Sequence, residues 1–218
     1  MPIFNSRRDV LVGLCCAALV PLRARAQEDW TPVAGTDYVV LQNPQPVETG
    51  DRIEVTEFFQ YSCPHCFAFT PDLEVWRRRL AADVAYVRVP VAFDPSRQPH
   101  SLIYYSLQAL NRLDLHDKIF TAFHLDHRHL LETDEIADFM AQNGIDRTKW
   151  LQTYNSFSVV SQANRAVQIY TAYKIDGTPT LACEGRYETS PAMAHGSHTT
   201  CLLVMDFLID KVRRERKK

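Results

Sequence analysis

Cys63-Pro64-His65-Cys66 is the segment of this 218-residue chain best equipped to do chemistry. Two cysteines three apart in the first turn of a helix can reach each other and close a reversible disulfide. Half of a zinc site looks the same, but zinc would need a second ligand pair at compatible spacing. Proline between the cysteines and a strand directly before them favour redox use. Pro64 suits the first helical position, where a missing N–H costs nothing. Cys63 then stands at the helix N-terminus, where free N–H groups and the positive end of the dipole favour thiolate over thiol. His65 adds a nearby donor and, when charged, a cation. A stabilised thiolate stabilises the reduced form, which makes the disulfide an oxidant. Cys63 should be the exposed, attacked sulfur. Cys66, one turn further in, should resolve the mixed disulfide.

The flanking residues supply the elements that must hold this pair. Arg52–Phe59 (RIEVTEFF) reads as a buried strand, and Phe67–Leu80 as a helix that Pro71 should kink. Val84–Phe93 reads as another strand, so the order predicts a βαβ unit with a parallel pair. A short strand is expected near Tyr38–Leu41. From Pro99 to Tyr173 the apolar spacing turns helical, with five helices and no strand signal. Strands return at Thr180–Cys183 and Arg186–Thr189, joined by a Glu184-Gly185 turn. His198–Val212 predicts a final amphipathic helix followed by a basic, solvated tail.

Composition narrows the class. Apolar residues make up 46% and charged residues 23%, so the chain can bury a core. A net charge of −2 gives no sign of a nucleic-acid binder. The N-terminus reads as a secretory signal: Arg7 and Arg8, an eleven-residue apolar run Val10–Val20, then Ala24-Arg25-Ala26 before a cut after Ala26. Ser6–Leu11 also resembles a twin-arginine export signal. Removal of residues 1–26 takes away Cys15 and Cys16, four arginines and one aspartate. Four cysteines remain: Cys63, Cys66, Cys183 and Cys201.

Glu57-Phe58-Phe59-Gln60-Tyr61-Ser62-Cys63-Pro64-His65-Cys66 resembles the active-site segment of the DsbA family of bacterial periplasmic thiol:disulfide interchange proteins. Thr153-Tyr154-Asn155-Ser156-Phe157 and Gly177-Thr178-Pro179-Thr180 fall where that family has corresponding segments. The resemblance implies an α/β thioredoxin fold with an inserted all-helical domain. The expected division is a signal peptide over 1–26, thioredoxin-like parts over 27–98 and 174–218, and a helical insertion over 99–173. It also implies a periplasmic dithiol oxidase that donates its Cys63–Cys66 disulfide to reduced exported polypeptides. A quinone-linked membrane reoxidase of the DsbB type would restore the disulfide, and no cofactor is called for. Pro64 and His65 match the family's dipeptide, with His65 as thiolate stabiliser. Pro179 resembles its cis-proline, with Thr178 backbone groups pairing with a bound peptide. Glu57 resembles the family's buried acid, and Arg88 the basic residue that pairs with it. That pair reads equally as structural or as proton-handling. Thr178 departs from the valine that many members carry.

Cys183 and Cys201 lie on a strand and a helix that such a fold packs together, so a structural disulfide is expected. Two buried free cysteines are the alternative. His195 and His198 lie between them at a spacing that fits no common zinc motif. His124, His127 and His129 read as solvated or capping residues, and no metal site is assigned. Two other functions fit the same residues. One is a disulfide isomerase or reductase, which usually needs dimerisation; no dimerisation segment is evident, so a monomer is expected. The other is a peptide-binding chaperone module using the groove around Pro179.

Overall fold

The computed structural model describes residues 30–217. The signal-peptide reading falls outside them. All elements lie in one unit, Pro32–Lys218.

A five-stranded mixed sheet carries the chain, in the order β1-β5-β4-β2-β3. Its strands are β1 (Val39–Val40), β2 (Ile53–Phe59), β3 (Val84–Pro90), β4 (Thr180–Cys183) and β5 (Tyr187–Thr189). β2 is buried at all seven positions, because β3 and β4 flank it and apolar clusters cover both its faces. It pairs in parallel with β3 through α1 (Pro64–Arg77), which is the expected βαβ unit. β4 returns antiparallel to β2, and the β4–β5 hairpin turns through Glu184 and Gly185, both at positive φ. A Cβ on Gly185 would lie 2.0 Å from the Gln45 carbonyl oxygen, so only glycine fits there.

Between β3 and β4 the chain is helical: α2 (Gln98–Ala109), α3 (His116–His124), α4 (Thr133–Gln142), α5 (Arg147–Tyr154) and α6 (Phe157–Ala172). These helices build a core from Ile103, Leu107, Phe120, Met140 and Trp150, continuous with Phe58 and Phe59 of β2. On the other side, Phe69, Leu73 and Trp76 of α1 meet Leu208 and Val212 of α7 (His198–Glu215) around Val55 and Leu181.

Several boundaries differ from the sequence reading. α1 starts at Pro64 with Cys63 as its N-cap, where the cysteine motif places it, and so before the apolar helical pattern that begins at Phe67. It continues through Pro71 and stops at Arg77. β3 ends at Pro90, where proline withdraws a ladder donor.

All four described cysteines are thiols. Cys183 and Cys201, the expected partners of a structural disulfide, are here two fully buried thiols. The Cys201 thiol neighbours the hydroxyl of Thr189, which pairs with Leu181 across the hairpin. Cys183 pairs with Tyr187, two residues further along, about 6.8 Å of strand. Both thiols lie in one apolar layer and pack there as small hydrophobes.

Candidate active site

The site forms where β2 hands over to α1. Residues 60–63 make a turn in which the Cys63 amide donates to the Gln60 carbonyl at 3.0 Å. Cys63 caps α1 in an extended conformation, φ −86° and ψ 117°, so its side chain lies over the first helical turn. There the Cys66 amide donates to Cys63 Sγ at 3.4 Å. From the other side, Cys63 Sγ lies 3.2 Å from the carbonyl oxygen of Thr178, a residue 115 positions away in the chain. The Thr178–Pro179 peptide bond is cis.

These contacts set the two sulfurs apart chemically. The Cys63 thiol is lowered to about 5. The largest cause is the hydrogen bond from the Cys66 side chain. Partial burial opposes it, and hydrogen bonds from Thr178 and from the Cys66 and His65 amides reinforce it. Cys66 is only 2% exposed, and burial, followed by the neighbouring Cys63, pushes its thiol far up. At neutral pH the pair is an accessible thiolate beside a buried thiol. That arrangement suits exchange at Cys63 and resolution by Cys66.

Pro64 and His65 are exposed on the first turn of α1. His65 lines a cavity of about 300 Å3 together with Thr178, Pro179, Pro191 and His198. His198 Nδ1 holds Asp72 at 2.8 Å. The set Cys183, His195, His198 and Cys201 is thus dispersed, and no group of metal-binding side chains exists among the described residues.

Glu57 and Arg88 meet as register partners on β2 and β3. Arg88 Nε donates to Glu57 Oε2 at 2.8 Å and the Tyr86 hydroxyl donates to the same oxygen at 2.5 Å. Arg88 also pairs with Glu74 of α1. Burial alone would lower the Arg88 guanidinium, but Glu57, Tyr86 and Glu74 outweigh it and raise its pKa.

The sequence reading missed Tyr61, His116 and His124. Tyr61, two residues before Cys63, is buried, and its hydroxyl meets His116 Nδ1 at 2.8 Å. His124, expected to be solvated or capping, instead stacks on Phe67 and donates from Nε2 to the Tyr61 carbonyl at 2.9 Å. The available signal was the recurrence of His116, Phe120 and His124 every four residues, which places all three on one helix face. His127 and His129 are exposed as expected.

Comparison with known proteins agrees with this geometry. The family model described as DSBA-like thioredoxin domain matches residues 54–203. The thiol:disulfide interchange protein DsbA of Bordetella parapertussis is 43% identical over 177 residues, spanning 81% of this chain and 85% of that protein. The protein of the same name from Pseudomonas aeruginosa is 39% identical over 206 residues, spanning 94% and 96%. The crystal structure of Pseudomonas aeruginosa DsbA superposes with a TM-score of 0.82 at 38% identity, covering 88% of this chain and 99% of that one.

Proposed function

Since the chain belongs to the family of DsbA-like thioredoxin domains, we propose that Cys63 is its nucleophilic and attacked sulfur and Cys66 the buried partner that leaves when the disulfide opens. The protein is a thiol:disulfide oxidoreductase acting as a dithiol oxidase on a thioredoxin fold with a helical insertion. A low cysteine pKa and an oxidising disulfide are general properties of this family, so the value at Cys63 agrees with it and is no independent discovery.

In the oxidised protein a substrate thiolate attacks Cys63 Sγ. The Cys63–Cys66 bond breaks, and Cys66 leaves with the electron pair and takes up a proton. A second substrate thiolate attacks the substrate sulfur of the mixed disulfide and releases Cys63 as thiolate. The substrate loses two electrons and the protein gains them. The donors of the first turn of α1, above all the Cys66 amide, stabilise the departing Cys63 thiolate. The single observation that carries this reading is the asymmetry of the pair: Cys63 is a half-exposed helix N-cap whose sulfur accepts a hydrogen bond from the Cys66 amide, beside a Cys66 only 2% exposed.

Around this chemistry the reading adds finer assignments. Substrates are reduced exported polypeptides, paired to Thr178 backbone groups beside Pro179. A DsbB-type membrane reoxidase returns the pair to the disulfide. The protein works as a monomer in the periplasm after cleavage following Ala26. Residues 27–98 and 174–218 act as the thioredoxin-like parts and 99–173 as the insertion. Glu57 and Arg88 are assigned a structural role, supported by their engagement with Tyr86 and Glu74.

Replacement of the two cysteines tests the core of this. Cys63→Ala should abolish disulfide transfer to a reduced model peptide. Given a disulfide-bonded peptide, whose bond the Cys63 thiolate attacks with release of one peptide thiolate, Cys66→Ser should accumulate mixed disulfides visible on non-reducing gels. Full activity in Cys63→Ala would refute the assignment. A strongly reducing equilibrium of the wild type with glutathione would move the protein to a reductase.

A further inference from the structure

One imidazole ties together both flanks of the cysteine motif. His124, at the last turn of α3, donates from Nε2 to the carbonyl oxygen of Tyr61 at 2.9 Å. A carbonyl only accepts, so Nε2 carries the hydrogen. The same ring stacks on Phe67, with centroids 4.8 Å apart and planes 11° from parallel. Tyr61 lies inside the turn that closes with the Cys63 amide on the Gln60 carbonyl. Phe67 is the residue after Cys66, and its amide donates to the Cys63 carbonyl at 3.1 Å. His124 therefore touches the chain on each side of Cys63 and Cys66.

The opposite end of α3 grips the same residue. His116 Nδ1 meets the Tyr61 hydroxyl at 2.8 Å, and Phe120, one turn on, packs edge-to-face on the Tyr61 ring at 5.0 Å. His116 is 2% exposed, so this anchor is internal. Tyr61 is thus held at its hydroxyl by the start of α3 and at its carbonyl by the end. Two fixed points on one rigid helix leave the 60–63 turn little freedom to rotate.

That rotation matters because the Cys63 backbone angles aim Sγ. The sulfur sits 3.4 Å from the Cys66 amide and 3.2 Å from the Thr178 carbonyl. Hydrogen bonds weaken steeply with misalignment. A small swing of the turn would loosen the Cys66 amide's hydrogen bond, which favours the thiolate, and shift the sulfur against the Thr178 carbonyl, to which only the thiol can donate.

We propose that His124 is a positioning residue for the redox pair, a clamp through which the helical insertion sets the acidity and oxidising strength of Cys63. The proposal rests on the reading of Cys63 as the acidic, attacked sulfur and deepens it.

The test uses two substitutions in the purified protein. His124→Phe keeps an aromatic ring on Phe67 but cannot donate to Tyr61. His124→Gln keeps a donor. The readouts are the Cys63 pKa from thiolate absorbance, the equilibrium constant with glutathione, and the melting temperature of the reduced protein. His124→Phe should raise the Cys63 pKa by about one unit, a tenfold change. It should weaken the disulfide as an oxidant by a comparable factor. His124→Gln should lie closer to wild type in both, with melting temperatures alike. A Cys63 pKa and glutathione equilibrium within twofold of wild type in His124→Phe would overturn the clamp. So would equal loss in both variants that tracks a fall in melting temperature, since that marks a merely structural residue. Should His124→Phe not fold, His124→Asn, whose shorter amide falls short of Tyr61, decides by the same criterion. A wild-type Cys63 that is not acidic would instead sink the underlying reading, so the two failures are distinguishable.

Discussion

A thiolate at Cys63 links the stability of the reduced protein to pH. Its pKa is about 5 in the fold against 9.0 for an unperturbed cysteine. Because the folded value is depressed, the stabilisation is fully present above about 9, shrinks as pH falls, and is gone below about 5. Cys66 works in the opposite sense, since burial raises its thiol, but only above about 9. The window to read is therefore about 5 to 9. The oxidised protein has neither thiol. Melting both redox forms across this window should show the lead of the reduced form narrowing steadily with acid. A pH-independent gap would contradict a low Cys63 pKa.

At the level of elements, two adjacent strands and a helix share one buried charge cluster. Side chains of Arg88 and Glu57 are only 9% and 3% exposed. Removing one member of such a pair strands the other, at about 3–5 kcal/mol. Glu57→Gln should lower the urea midpoint accordingly and leave the Cys63 titration where it was. A shifted Cys63 or Cys66 pKa with unchanged stability would favour proton handling over structure. On the other edge of the α1 layer, β4 and α7 bring Cys183 and Cys201 into one apolar core as thiols. Titration of the oxidised, denatured protein lacking residues 1–26 should find two free thiols. None would restore the second disulfide.

For the whole molecule, the two cores on either face of β2 respond differently to acid. The insertion core encloses two histidines. Burial lowers His100 to about 4 and holds His116 well below its ordinary value. Both fold as neutral rings, whereas the unfolded chain binds protons from about 6.5 downward. Stability should therefore fall as pH drops from about 6.5 to about 4, even in the oxidised form, where Cys63 has no proton to exchange. His100→Phe should flatten that dependence of the urea midpoint. An unchanged slope would place the acid sensitivity elsewhere. The opposite core, around Trp76 and Leu208, has no buried histidine to titrate.

Local chemistry made much of this legible before any coordinates. A strand ending in Phe59, a proline one residue after Cys63 and cysteines one helical turn apart depend only on neighbours, so their placement follows from short-range periodicity and capping. The order of β, helical and β blocks was equally readable, because each block carries its own apolar spacing. Contacts between distant residues were not. Nothing near Cys63 specifies that the Thr178 carbonyl will lie against its sulfur, or that Glu57 will take Tyr86 as well as Arg88. Histidines at 124, 127 and 129 look alike in sequence; only the docking of α3 on the 60–67 segment separates the stacked one from the solvated two. The meeting of Cys183 and Cys201 likewise needed the tertiary structure, because strand register and the seating of α7 bring both into the same apolar core. Packing decides such matters through shape and volume shared by residues far apart in the chain, which the order of amino acids encodes only jointly.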